Sequence, residues 1–238
     1  HIAGTPENEL VKDYMVDIMS KAGMEVTVWP YDVYLPNHPG KSELQIISPV
    51  QLTLSQKEGE LAEDPFSKDP RLHLGFNAFS GSGDVTAEVV YVNYGTREDF
   101  MKLVEMGVPL KGKVAIARYG GNFRGYKAKF AEQNGMIGLV VYTDPKDSGF
   151  TRGDVYPKGP YYNETTIQRG SMLTLDFTGD PLTPNRPALP LDGPKKIKRD
   201  DPATVDFHTI PVTPIGYGAA KEILSRMTGA DVPTSWQG

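Results

Sequence analysis

The sequence of 238 residues predicts an α/β fold of the α+β kind, in which a mixed, β-sandwich-like sheet is flanked by helices. Two observations lead to this prediction. Segments rich in β-branched residues alternate with helix-like segments between residues 85 and 143, which is the pattern of a βαβ unit on a parallel sheet. The chain also has 25 glycines and 20 prolines, which indicates many turns rather than a helical bundle.

The first 34 residues are predicted to form a helix and a strand. Apolar residues recur at the helical period over 7–22, with Thr5 as the N-cap and Gly23 as the stop, so we expect an amphipathic helix there. The alternating run 25–29 predicts a strand that follows this helix. Short runs separated by prolines begin after Tyr34, and we therefore place a domain boundary near that residue.

The remaining residues are predicted to build the main domain. Thr96 begins a capping-box-like sequence, which indicates the start of a helix, and Asn134-Gly135 is typical of the end of another. Between residues 144 and 209 the chain is expected to be mostly loop, because proline, glycine, aspartate and threonine are dense there. We expect strands over 44–47, 50–54, 85–92, 114–118, 136–143 and 210–215, and helices after Thr96, over 123–133 and over 217–227.

The composition excludes several classes of function. The net charge is −5 without a long run of either sign, which argues against nucleic acid and anionic membrane surfaces as partners. The chain contains no cysteine, so disulfides, thiolate metal sites and cysteine nucleophiles are excluded. The longest apolar run, 137–142, is far shorter than the roughly 18 residues that a membrane span requires.

Candidate functional residues are few. The histidines form no metal pattern, because none lies three to five residues from another; they are His1, His38, His73 and His208. Arg124 is more unusual, since it follows the glycine-rich segment 119–123 at a predicted helix start, where a cation opposes the helix dipole. Its position alone leaves two interpretations open: a contact with an anion or a carboxylate, or an ordinary surface arginine.

Several segments resemble one protein family, in the same order along the chain. Together they are similar to the glutamate carboxypeptidase II family, also called N-acetylated α-linked acidic dipeptidases or prostate-specific membrane antigen-like proteins, which are zinc peptidases of the M28 type. The resemblance extends over essentially the whole chain. The segments that carry it are His1-Ile2-Ala3-Gly4-Thr5, 91–100, 114–120, Phe123-Arg124-Gly125, Gln168-Arg169-Gly170, 179–184 and 210–217.

The resemblance implies a particular domain organisation. In the family an apical protease-associated (PA) domain is inserted into the peptidase domain. Residues 1–34 would then be the N-terminal edge of the peptidase domain and residues 35–238 the apical PA domain. The two zinc ions of the family would have their ligands outside this chain, so that the chain alone is expected to be inactive.

The resemblance also implies partners and a location. The full-length protein would be a homodimer in an extracytoplasmic compartment. This segment would cover the active site of the remainder of the peptidase domain. The substrate would be a small, acidic peptide with a free C-terminal carboxylate, from which the C-terminal residue is released.

The resemblance assigns roles to individual residues as well. Arg124 matches the family arginine that grips the α-carboxylate of the released residue, and Phe123 beside it is expected to contact substrate. Ser171 stands where the family has an asparagine, which leaves the preference for glutamate open. The backbone carbonyls of Thr183 and Arg186 stand where the family holds a structural calcium ion.

Two other functions remain open at this point. One is a catalytically inactive receptor of the transferrin-receptor type, and the other is a free-standing PA domain that binds peptides or proteins. An arginine that binds carboxylates favours the peptidase over the receptor. The predicted N-terminal helix disfavours a free-standing domain, because it resembles the edge of a peptidase domain.

Overall fold

The computed structural model describes residues 2–36 and 40–237. The chain forms two compact units. One consists of His1–His38 together with Leu175–Asp206, and the other of Pro39–Thr174 together with Phe207–Gly238. The predicted boundary near residue 34 concerns the larger domain to which the N-terminal segment belongs, and it stays a prediction.

Helices and short strands alternate along the described residues. The α-helices are α1 (Pro6–Lys21), α2 (Arg97–Glu105), α3 (Arg124–Gln133), α4 (Pro145–Ser148) and α5 (Tyr217–Leu224). The strands are β1 (Gln45–Ile46), β2 (Leu52–Thr53), β3 (Asn77–Ala78), β4 (Val89–Tyr91), β5 (Val114–Arg118), β6 (Gly138–Tyr142), β7 (Gly170–Ser171) and β8 (Val212–Ile215). The mixed α/β fold class that the sequence predicts is confirmed.

A four-stranded parallel sheet in the order β4-β5-β6-β8 forms the centre of the second unit. Successive side chains of a strand point to opposite faces, and here both faces are covered. Ala115 and Ala117 pack in the cluster that includes residues of α2 and α3, whereas Ile116 packs in the cluster that includes residues of α5. Burial on both faces explains why β5 and β6 read as almost continuous apolar runs.

The smaller sheets complete the second unit. β1 and β2 pair antiparallel, and β3 pairs parallel with β7. The β3–β7 pairing joins segments that lie 93 residues apart, with Asn77 opposite Gly170. This pairing connects the predicted loop region 144–209 with the segment between β2 and β4.

Local sequence signals explain where the helices begin. The hydroxyl of Thr96 accepts a hydrogen bond from the backbone N–H of Asp99, and the Asp99 carboxylate accepts one from the N–H of Thr96, which is the predicted capping box of α2. The Thr5 hydroxyl caps α1 by accepting from the N–H of Asn8 at 3.3 Å. Both predicted helix starts are confirmed.

The apolar side of α1 is exposed. None of its residues is buried, and Leu10 and Tyr14 are 68% and 64% exposed. An amphipathic helix normally buries such a face against other elements of its fold. Within the described residues, no helix is both long and apolar enough to cross a membrane.

The strand predicted over 25–29 is wrong. That segment is irregular, and Trp29 within it is 72% exposed. Alternating side chains form a strand only where a second chain segment completes the ladder, and among the described residues none pairs with this run. The chain forms a backbone hydrogen bond a few residues later, where the N–H of Asp32 donates to the carbonyl of Ala188 at 2.9 Å.

Candidate substrate-binding site around Arg124

Arg124 is the first residue of α3 and follows β5 by a short loop, residues 119–123. Phe123 is the N-cap of α3 and forms no side-chain cap hydrogen bond. The orphan N–H groups of this helix start are therefore not satisfied by an N-cap side chain. The site lies at the carboxyl end of a central strand, where parallel sheets commonly bind ligands.

Neutral groups surround the guanidinium group of Arg124. Its Nη1 donates to the carbonyl of Ser171 at 3.3 Å, and its Cζ lies 5.4 Å from the centre of the Phe123 ring and 5.9 Å from that of Tyr119. The Nε of Arg124 is buried without a hydrogen-bond partner among the described residues. The guanidinium is thus in contact with the Ser171 carbonyl and with two aromatic rings.

Close packing at Gly170 fixes the position of the guanidinium. A Cβ atom on Gly170 would lie 2.4 Å from Nη1 of Arg124 and 2.5 Å from its Cζ. The carbonyl of Gly170 accepts from Asn77 Nδ2 at 3.2 Å, and the same amide donates to the Tyr119 hydroxyl at 3.2 Å. Asn77, Tyr119 and Gly170 therefore form a wall against which Arg124 lies.

A second close approach locks α3 to the same wall. A Cβ on Gly125 would lie 2.3 Å from the carbonyl oxygen of Met172, so only glycine allows the helix start to come this near. The two glycines thus permit different close contacts. Gly125 lets the start of α3 approach the backbone just after β7, and Gly170 leaves room for the Arg124 guanidinium.

The electrostatic state of Arg124 differs from that of two other arginines of this unit. Arg118 Nη1 lies 3.6 Å from a carboxylate oxygen of Asp144, and Arg169 Nη1 lies 3.0 Å from one of Glu58. Within residues 2–36 and 40–237, no carboxylate lies within 4 Å of the Arg124 guanidinium. Arg124 is therefore a half-buried cation with no carboxylate partner in the described part of the chain.

The tyrosine of the wall remains a neutral donor. Burial raises the pKa of Tyr119, against which the hydrogen bond from Asn77 and the Arg124 cation act. Its hydroxyl donates to the carbonyl of Gln168 at 2.7 Å. Because it stays protonated at neutral pH, Tyr119 presents no negative charge that could neutralise Arg124.

The structure brings the predicted substrate residues together. Ser171 meets Arg124, but through its carbonyl; its hydroxyl accepts from the N–H of Leu173 at 3.1 Å. Phe123 is 43% exposed beside the guanidinium. The roles of Arg124, Phe123 and Ser171 in binding substrate stay predictions.

The carbonyls predicted for calcium lie in the other compact unit. Measured from a Cβ on Gly179, the carbonyl oxygens of Arg186 and Thr183 lie at 3.2 and 3.5 Å, so both oxygens lie near the same glycine. The Thr183 carbonyl accepts from the N–H of Arg186 at 3.0 Å, and the Arg186 carbonyl accepts from the Thr183 hydroxyl at 3.2 Å. Two neutral oxygens fall short of the six to eight ligands that Ca²⁺ takes.

Among the described residues, the histidines do not form a metal site. His1 and His38 lie outside the described residues. His208 Nδ1 lies 2.8 Å from a carboxylate oxygen of Glu132 and its Nε2 lies 2.8 Å from the Met172 carbonyl, so both ring nitrogens have partners within the protein. The described part of the chain holds no group of three or more His, Cys, Asp or Glu side chains that could bind a metal ion.

Sequence reasoning missed two residues of this region. Asn77 lies in a segment with no motif of its own, and only the β3–β7 pairing brings it next to Gly170. Lys127 is fully buried on α3, although a lysine in a helix is expected to reach solvent. The local sequence around either residue carries no signal of these contacts.

Comparison with models of protein families identifies the class of domain. Residues 85–175 match the family model of the PA domain. This range includes β4, β5, β6, α2 and α3, and therefore Arg124 and Ser171. Arg124 and its neighbour Ser171 therefore lie within the segment that matches the PA domain.

The relatives confirm the resemblance that the sequence motifs predict. The chain is 43% identical over 77% of its length to "Probable glutamate carboxypeptidase" of Arthroderma benhamiae. It is 35% identical over its full length to "Glutamate carboxypeptidase 2 homolog" of Caenorhabditis briggsae, and 30% identical over its full length to "Aminopeptidase NAALADL1" of Mus musculus. The chain covers 26%, 32% and 32% of these relatives, so it spans about a quarter to a third of their length.

Proposed function

We propose that this chain is the PA-domain segment of a glutamate carboxypeptidase-like exopeptidase and that Arg124 binds the C-terminal carboxylate of the peptide substrate. The full-length enzyme would release the C-terminal residue of small peptides. The names of the relatives support a peptidase, and they include both carboxypeptidases and an aminopeptidase. The choice of a carboxypeptidase rests on Arg124.

The observation that carries the proposal is the unpaired, pre-positioned guanidinium of Arg124. Gly170 and the ring of Tyr119 restrict where it can lie, and the Ser171 carbonyl holds one of its nitrogens. A planar guanidinium can donate two parallel hydrogen bonds to a carboxylate, which an ammonium group cannot do. A group fixed before the ligand arrives binds without the cost of ordering it.

We also propose where the metal ions of such an enzyme are bound. The described residues do not fit a zinc site, because they hold no suitable group of ligands. Two zinc ions would therefore be bound by other parts of the full-length protein. The carbonyls of Thr183 and Arg186 could supply two oxygens to a calcium ion, and carboxylates from elsewhere would have to complete it.

We make further proposals about the partners of this chain and the location of the full-length protein. The exposed apolar side of α1 fits a role as the edge of a larger peptidase domain. We further propose that the full-length protein is a homodimer in an extracytoplasmic compartment, as the family resemblance implies. Ser171, which is shorter than asparagine, would contact the released residue less extensively, so that glutamate need not be preferred.

The test compares peptides with a free and an amidated C-terminus in the full-length protein. A charge-assisted hydrogen bond contributes about 1.5–3 kcal/mol, so Arg124→Ala is expected to lower kcat/KM for the free acid by roughly 10- to 150-fold. Arg124→Lys should restore only part of this loss. Gly170→Ala should act in the same direction, because its Cβ would displace the guanidinium.

Arg97 provides a matched control. It is the first residue of α2, as Arg124 is of α3, and it is exposed. Arg97→Ala is expected to leave the ratio of free-acid to amide activity unchanged. Equal losses for both substrates in Arg124→Ala would show that the residue is structural. Cleavage from the N-terminus, or no cleavage at all, would favour an aminopeptidase or a receptor.

A further inference from the structure

Lys127 lies on α3, three residues after Arg124, and its side chain is fully buried. Its Nζ donates to the carbonyl of Gly120 at 2.7 Å, to the side-chain oxygen of Asn122 at 2.8 Å and to the carbonyl of Tyr94. An ammonium group has three donors, and here three oxygens accept them. The buried polar group is thus fully satisfied.

The oxygens that Lys127 binds belong to the segment that leads to Arg124. Gly120 and Asn122 lie in the loop between β5 and α3, where Gly120 and Gly121 have positive φ angles of 101° and 74°. A Cβ on Gly121 would lie 2.7 Å from Cβ of Tyr94, so the loop packs closely on that residue. Through its Nζ, Lys127 of α3 thus contacts both the β5–α3 loop and Tyr94, on which the loop packs.

No carboxylate lies within 4 Å of Lys127 among the described residues to explain the burial of its charge. The nearby charged groups are Asp99 of α2, which favours the ammonium form, and Arg118 of β5 and Arg124 of α3, which oppose it. Burial lowers the pKa of Lys127 to about 7. A buried cation of this kind is costly, and an apolar residue would avoid that cost.

The role that remains for Lys127 is to hold the backbone of the loop in place. The loop 119–123 has left-handed backbone conformations at two successive glycines, which other contacts must hold in place. Asn122 supplies one such contact by donating to the carbonyl of Gly95 at 3.2 Å. Lys127 supplies three more from the first turn of α3, next to the helix start that carries Arg124.

We propose that Lys127 is a positioning residue for Arg124: its three hydrogen bonds hold the β5–α3 loop so that the guanidinium faces the substrate carboxylate. This inference rests on the proposed function of Arg124. Lys127 does not touch the substrate, since its Nζ is enclosed by protein oxygens. It acts on Arg124 indirectly, because the loop that it holds sets the direction in which α3 begins.

The decisive variant in the full-length protein is Lys127→Met, which keeps most of the side-chain volume and removes all three donors. We expect kcat/KM for peptides with a free C-terminus to fall about 10- to 100-fold, mainly through KM, because small misplacements of a binding group have effects of this size. Activity on amidated peptides should change little. Amide exchange at residues 120–123 should accelerate, while exchange in β5 and β6 should not.

Two further variants serve as a control and as a substitute for Lys127→Met. Lys102→Met on α2 removes an exposed lysine paired with Glu105 and should leave both readouts unchanged. Asn122→Ala removes one of the three acceptors, and it should give a smaller effect in the same direction if Lys127→Met does not fold.

The outcomes separate this inference from the proposed function. If loop exchange in Lys127→Met equals that of the unaltered protein, or if free-acid and amidated substrates lose activity equally, Lys127 does not position Arg124. If the unaltered protein fails to distinguish the two substrates, the carboxylate-binding role of Arg124 is wrong. The exchange measurement still decides whether Lys127 holds the loop.

Discussion

The buried ammonium group of Lys127 makes the stability of the second compact unit depend on pH. Its pKa is about 7 in the folded chain, against 10.5 for a free lysine. Between these values the unfolded chain binds a proton that the folded chain does not, so raising the pH favours the fold. Each pH unit in this window adds about 1.4 kcal/mol to the free energy of unfolding.

The assay compares this chain with Lys127→Met by urea unfolding at about pH 6, pH 7.5 and pH 9. Trp236 is buried in the core of the second unit whereas Trp29 is exposed, so a Trp29→Phe background reports on that unit by fluorescence. Relative to the variant, the unaltered chain should gain about 2 kcal/mol between pH 7.5 and pH 9 but only about 0.8 kcal/mol between pH 6 and pH 7.5.

The comparison uses the slope and not the absolute stability. Lys127→Met leaves three oxygens without their donor, which costs roughly 1–3 kcal/mol each but does not depend on pH in this range. Lys102→Met, which removes an exposed lysine, should run parallel to the unaltered chain. If Lys127→Met also runs parallel to it from pH 6 to pH 9, the three acceptors keep Lys127 charged in the folded state, and the reasoning from burial is refuted.

Two further predictions concern the chain on its own. Amides of α1 should exchange far faster than those of β5 and β6, because none of its residues is buried; equal protection would contradict a boundary near residue 34. The chain should bind no stoichiometric zinc and show no peptidase activity, since its described residues hold no suitable ligand group. Two zinc ions per chain that survive dialysis would contradict this prediction.

The central part of the fold could be predicted because its signals are local. The run 114–118 coincides with β5, and the stop at Asn134-Gly135 follows the last residue of α3 directly. A parallel strand covered on both faces must be apolar along its whole length, and a left-handed glycine ends a helix whatever packs around it. Such features depend on a few neighbouring residues.

The site could be predicted only in part, because its neighbours are distant in sequence. Arg124 was visible as a cation at a helix start. Its wall was not, since Asn77 and Gly170 lie 93 residues apart and meet only through the β3–β7 pairing. The failed strand at 25–29 has the same origin, because alternation describes the faces of a strand and does not provide its partner.

Three cations lie between the end of β5 and the first turn of α3, and each has a different electrostatic environment. Arg118 is buried and paired with Asp144, and Lys127 is buried among three neutral oxygens. Both satisfy their donors inside the protein. Arg124, between them in sequence, is half-buried against aromatic rings, with one carbonyl contact and no carboxylate within 4 Å in the described residues. Since its two neighbours are already engaged within the protein, Arg124 is the cation for which we propose a carboxylate partner from outside the chain.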